Sequence, residues 1–276
     1  MGTTCDKGAV FTHLRATRHL ILIVKSSTHD PLHGNLAFGL ILETYAYLAL
    51  VQNITPYGLL DSRELPLDDF ITSLRHLEQY ETYGTHLSCG YDIFECILPI
   101  AMLARRRLDE SASHADASLQ IRKAYETLHA QLGSLVQHNM LSKTLSDCRS
   151  VYVSALYIFL ETGLHNPLMP DEHSLSVIQS HIDSILNLTP SICETPYGTI
   201  MLWPLMIASS CMTRNEQQDL VRYRFLNTPQ WRISQVVTAV RVLRLLWEKR
   251  HVGESTFGPY GLYEVMKEHD INFSMA

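Results

Sequence analysis

Acids and histidines at helical spacing are where chemistry could begin in this 276-residue chain. Asp68 and Asp69 open the run Asp-Asp-Phe-Ile-Thr, but a magnesium site on one helix face needs acids at i and i+4, and Thr72 stands where the closing acid would be. Glu126 and His129 form one Glu-x-x-His, half of a di-iron bundle site. That chemistry requires a second copy and two further glutamates, and the chain has no second copy. Of the 14 histidines, His29 and His33 are i, i+4 with Pro31 between them, which spoils a helix-borne pair. His165, His173 and His181 step by eight beside Asp171 and Glu172, so only tertiary folding could gather them. The six cysteines, at 5, 89, 96, 148, 193 and 211, include no Cys-x2-Cys, which excludes a zinc ribbon or a redox pair of that type. Serine nucleophile elbows, phosphate loops and dinucleotide loops are absent as well. The expectation is no catalytic residue, no metal and no cofactor, with the cysteines as buried thiols in a reducing compartment.

The elements that would carry these residues are helical. Hydrophobic residues make up 46% of the chain and charged residues 18%, enough apolar surface for a sizeable core. Glycine (13) and proline (11) are too sparse for a turn-dense β chain. Apolar residues recur at Ile121, Tyr125, Leu128, Leu132 and Leu135, one face of a helix. Ser113 and Asp116 read as its capping box, and Thr213 with Glu216 as that of a helix running to Phe225. Leu175, Ile178, Ile182 and Ile185 mark a helix over 175–187, opened by Pro170 and the acids Asp171 and Glu172. The segment 229–250 is the best marked. Thr228–Pro229 opens it, Gly253 follows it, and Lys249, Arg250 and His251 fill its last turn. Its polar stripe of Arg241, Arg244 and Glu248 is narrow, so this helix should be largely buried.

Further helices are expected over 8–26, 34–52, 67–80, 91–108, 142–162 and near 260–268, with loops at 53–66 and 188–198. Segment 93–104 is apolar on every side and should be a central helix, kinked at Pro99. Arg105–Arg106–Arg107 then falls at a helix end, where cations complement the dipole. No stretch alternates as a strand does, and no repeat of fixed period occurs. The fold class read from these patterns is all-α, a single compact multi-helix domain over 1–276 of about ten helices with no sheet. The longest apolar run near the start, Leu20 to Val24, is too short for a signal segment or a membrane span.

Three C-terminal segments, taken in order, carry a resemblance. Leu202-Trp-Pro-Leu-Met-Ile-Ala-Ser-Ser, followed by a helix ending Asp219-Leu-Val-Arg-Tyr-Arg-Phe, resembles the Trp-Pro-Leu signature of fungus-specific transcription factor domains. These are the helical regulatory regions that follow a Zn2Cys6 binuclear cluster. Arg232 to His251 resembles the family's next long helix, with Trp247 near its end. Gly261-Leu-Tyr-Glu-Val-Met resembles its closing element, with Tyr263 where a tryptophan is usual. His86 to Arg107 is similar to the family's glycine-then-buried-helix segment, so the best-matched part is 80–276. The resemblance marks Trp203, Pro204, Leu205, Arg222, Trp247, Val265 and Met266 as structural signature residues.

What the resemblance implies is a nuclear regulatory or interaction domain that controls transcription through protein or effector contacts. The partners expected are the transcription machinery, a dimer partner or a missing N-terminal segment, with a small-molecule effector beside them. The departure from the family pattern is the zinc cluster: none of the six cysteines has its Cys-x2-Cys-x6-Cys spacing. With 22 basic against 28 acidic residues and a net charge of −6, specific duplex binding by this chain is not expected. The alternative is a helical domain recruited as an enzyme or small-molecule binder in a specialised-metabolite pathway, in which case the compartment would be the cytoplasm; a third is a stand-alone scaffold.

Overall fold

The computed structural model describes residues 9–27, 35–52, 68–111, 116–135, 142–228, 234–251 and 256–271. Among these there is no strand, and ten helices reach seven residues or more. The N-terminal pair is α1 (Ala9–Ser27) and α2 (Leu36–Gln52). Asn35 opens α2 by accepting the Phe38 N–H through its side chain, 3.0 Å away. Next come α3 (Asp69–Thr72), a 3-10 helix over Arg75–Gln79, α4 (Tyr91–Phe94) and α5 (Ile97–Ser111). The larger C-terminal part holds α6 (Leu119–Leu135), α7 (Lys143–His165), α8 (Glu172–Cys193), a 3-10 helix over Pro196–Met201, α9 (Leu202–Cys211), α10 (Asn215–Asn227), α11 (Ser234–His251) and α12 (Gly258–Glu268).

Helix α7 is the axis of the molecule, packed against α5, α6, α8, α9 and α12. Its run from Val151 to Phe159 is buried at every position but Tyr157. Ser142 caps it by accepting the Leu145 N–H. The close approach of α5 depends on Gly163, where a Cβ would meet that of Ala104 at 3.2 Å. A second closely packed layer is α9, buried at all ten positions and lying against α7, α8, α11 and α12.

Several helix readings are corrected, each for a local reason. The segment 67–80 is α3 and a 3-10 helix, not one helix: Ser73 is extended, and the Leu74 N–H goes to Glu95 Oε1 at 2.6 Å. The segment 91–108 is broken at Glu95–Cys96, not kinked at Pro99. Proline has no N–H for the Glu95 carbonyl and crowds it, so Pro99 sits in the first turn of α5, where no donor is needed. That helix is also not central, since Met102 is 42% exposed. It runs on to Ser111, which leaves Arg105–Arg107 inside it rather than at its end.

The loop expected at 188–198 begins only after Cys193, because α8 continues through Pro190. The bond Pro190 cannot make is replaced from outside: Arg224 Nη1 donates to the Leu186 carbonyl at 2.9 Å. Thr213 does not cap α10; its N-cap position is Arg214, whose carbonyl takes the Gln217 and Gln218 N–H groups. Ser113 lies outside the described residues. The cap ahead of α6 is Ser118, which accepts the Ile121 N–H and is itself held by Glu110. Residues 229–233, where 229–250 was expected to begin, also lie outside the described residues. From Ser234 onward α11 shows the expected narrow wet stripe, with Arg241, Arg244 and Glu248 exposed.

Candidate functional site

An open cleft of about 750 Å³ lies where α6, the C-terminal end of α7 and the start of α8 diverge. Its position follows from how α8 begins. Asp171 accepts the Ser174 N–H at 2.8 Å and so fixes the first turn of α8 beside the last turn of α7. The Asp171 carboxyl is held below its ordinary value of 3.8, first by that backbone N–H. His165 Nε2 lies 3.1 Å from Ser174 Oγ and ties the two helix ends together. Across the gap, α6 presents Arg122, Tyr125, Glu126 and His129 on successive turns of its cleft-facing side.

The floor is polar and buried. Glu161 of α7 is only 6% exposed and accepts a short hydrogen bond from the Tyr125 hydroxyl. Burial, and then the Glu161 carboxylate, push the Tyr125 hydroxyl above its usual range, so it stays protonated as a donor. Arg107 of α5 is 2% exposed and donates through Nε to the Leu164 carbonyl at 3.2 Å. Leu168 and Met169, 57% and 40% exposed, form an apolar lip.

Glu126, His129, His165, Asp171 and His173, three separate pieces in the sequence, therefore meet in one cleft. His181 does not join them. It stacks on Tyr157 at 4.9 Å, and burial lowers its pKa. It lines a separate hollow of about 170 Å³ beside Arg149. Among the described residues, no group of three or more histidines, cysteines or acids is arranged to hold a metal ion. Asp68 is occupied elsewhere: it pairs with Arg18 at 2.6 Å and joins α1 to α3. His29 and His33 lie outside the described residues.

Most of the signature residues are core. Trp203 is fully buried and stacks on Tyr152, with ring centroids 5.7 Å apart. Tyr152 in turn donates its hydroxyl to the Ile200 carbonyl at 2.6 Å. Pro204 and Leu205 of α9 and Val265 and Met266 of α12 are buried as well. Trp247 donates Nε1 to the Ser209 carbonyl at 3.0 Å, which binds α11 to α9. Arg222 is different, an exposed side chain paired with Asp219 three residues back.

The arginines that do structural work were not legible as such in the sequence. Arg250 donates to the carbonyls of Met212 (2.7 Å), Ser210 (2.8 Å) and Thr256 (3.3 Å), closing the end of α9. Arg149, 5% exposed, reaches Leu135 O, Cys89 O and the Asp92 carboxylate and so joins α4, α6 and α7. Cys89, Cys96, Cys148, Cys193 and Cys211 are free and buried. Burial pushes the thiols of Cys96, Cys148, Cys193 and Cys211 up to about 12. No described helix is long and apolar enough to cross a membrane.

A family model described as the fungal specific transcription factor domain matches residues 4–276. No curated protein and no solved structure matches the chain.

Proposed function

The chain belongs to the fungal specific transcription factor domain family, and from that premise we propose that it is the regulatory domain of a Zn2Cys6-type transcription regulator. It acts in the nucleus through protein contacts and an effector, while DNA is read by a module outside these helices. The observation that carries this reading is the family match over 4–276, nearly the whole chain. Charge supports it too. A net charge of −6 gives no general attraction to phosphate, and the arginine run offers no patch, because Arg107 is buried.

A tethering assay tests the reading. Fused to an unrelated DNA-binding domain, the chain should change reporter output several-fold over the DNA-binding domain alone. Unchanged output would overturn the regulatory role. A mobility-shift titration of the chain at about 150 mM salt should show no sequence-selective binding. Selective sub-micromolar binding would overturn the assignment of DNA reading to another module.

The second reading is a helical small-molecule binder or enzyme of a specialised-metabolite pathway, and the α6–α7–α8 cleft favours it. Its volume lies within the range typical of small-molecule sites, with an apolar lip and a few converging polar groups.

A further inference from the structure

Among the described residues two glutamates are almost fully buried, and their surroundings differ. Glu43, 1% exposed, has three backbone donors on Oε1, the N–H groups of Gly84, His86 and Leu87 at 3.2, 2.7 and 2.9 Å. It ties α2 to the 84–87 loop. Glu161, 6% exposed, has one donor among the described residues, the Tyr125 hydroxyl on Oε1. An ionised carboxylate can accept about four hydrogen bonds, and a buried one is costly unless paired. Glu43 Oε2 is sealed without a partner among the described residues, whereas Glu161 lines a cleft wide enough to admit a molecule that would donate to its carboxylate.

The rest of the cleft selects the sign of that molecule. Glu126 and Asp171 add negative charge around Glu161. Arg107 and Arg122 each have Nε held by a backbone carbonyl, Leu164 O at 3.2 Å and Ala117 O at 3.1 Å, and they share the lining with four acids, Asp116, Glu126, Glu161 and Asp171. Acids outnumber arginines along the lining, and Leu168 and Met169 offer an apolar surface at the lip. We propose that the α6–α7–α8 cleft binds an organic cation, a protonated amine on an apolar or aromatic body, with its ammonium on Glu161 and its body against the lip. Because Glu161 itself is buried in the floor, Coulomb attraction between its carboxylate and an ammonium is less screened than at a fully exposed carboxylate.

The test uses the full 276-residue chain and three indole probes that differ mainly in side-chain charge: tryptamine, indole-3-ethanol and indole-3-propionate. In calorimetric titrations tryptamine should bind at least tenfold more tightly than the neutral or anionic probe. Glu161→Gln should weaken tryptamine at least tenfold, and Glu126→Gln about threefold. Glu248→Gln, on the exposed stripe of α11, should leave binding unchanged. Glu126 is exposed, so its variant will fold even where Glu161→Gln does not. Three results would overturn the site: indole-3-propionate binding as well as tryptamine, Glu126→Gln and Glu248→Gln having equal effects, or no tryptamine binding at millimolar concentration. The site does not rest on the regulatory reading. Amine binding with a silent reporter sinks that reading alone, and an active reporter without amine binding sinks the site alone.

Discussion

Two stretches of α7, about two and a half turns apart, meet opposite surroundings. Around Tyr152 the helix is sealed: Tyr152 stacks on Trp203, Phe94 packs at 4.9 Å from the same ring, and α9 covers them. From Glu161 to His165 it borders an open polar cleft. One helix thus serves as core axis and as the wall of a candidate binding site. The difference lies in what neighbours it. Around Tyr152 the neighbouring helices pack directly on α7, whereas near His165 the first turn of α8 stays tied to α7 and the open space lies between that junction and α6. Stability should therefore concentrate in the first stretch and ligand specificity in the second.

Substitutions on each side can break that contrast. Trp203→Ala has the largest expected effect, removing the stacked ring and leaving a cavity at a cost of about 4 kcal/mol. Urea unfolding should show it, and a loss below about 1.5 kcal/mol would mean that the core is less rigid than its burial indicates. Arg250→Met comes next. It removes the Arg250 donors from the Ser210 and Met212 carbonyls at the end of α9, leaving Met212 O to the Gln218 amide, for a loss of about 2 kcal/mol by the same measurement. In the cleft, Glu126→Gln should leave stability within about 0.5 kcal/mol of the parent, since its side chain is exposed. A larger loss would make the cleft wall part of the core.

The smallest effect is in the pH dependence. The Asp171 carboxyl is depressed in the folded protein, so its stabilisation is complete above the unfolded value and disappears as pH falls through the lower folded one. Asp171→Asn keeps a capping oxygen but should remove that acid-limb contribution. Thermal melts from about pH 5 down to pH 2 should be shallower in pH for the variant than for the parent. Identical slopes would show that the cap carries no charge-dependent share.

How much of this was legible depends on the range of the interaction. Asp171 reads as a helix start because capping acts over three residues. Helix α11 reads as largely buried behind one wet stripe because its period is local. Pro190 was misread as the mark of a loop because its remedy, Arg224, lies 34 residues away in the chain and on another helix. Pro99 was misread as a kink because proline alone does not say whether it sits in a first turn or an interior one. Arg222 and Arg250 are both arginines on helices, yet one pairs with a neighbour in water and the other closes a distant helix end. Only the packing of α11 on α9 separates them.

The cleft is the limiting case. Glu126 with His129 and His165 with Asp171 and His173 were each visible as short clusters, and each was insufficient alone. Glu161, the residue on which the binding proposal turns, carried no signal at all, being one acid in an apolar helix. From the sequence alone come the all-helical class, the helices α1, α2, α6, α7, α8, α10, α11 and α12 to within a few residues except where α8 runs past Pro190 and where the start of α11 is not described, the five described thiols as core residues (Cys5 lies outside the described residues), and the family. These depend on periodicity, capping and residue type, which act within a turn or two of chain. The tertiary structure alone decided which acids face each other, which arginines are buried, and where helices diverge to leave a cleft. Those are set by contacts between residues far apart in the chain, whose energies no local pattern records.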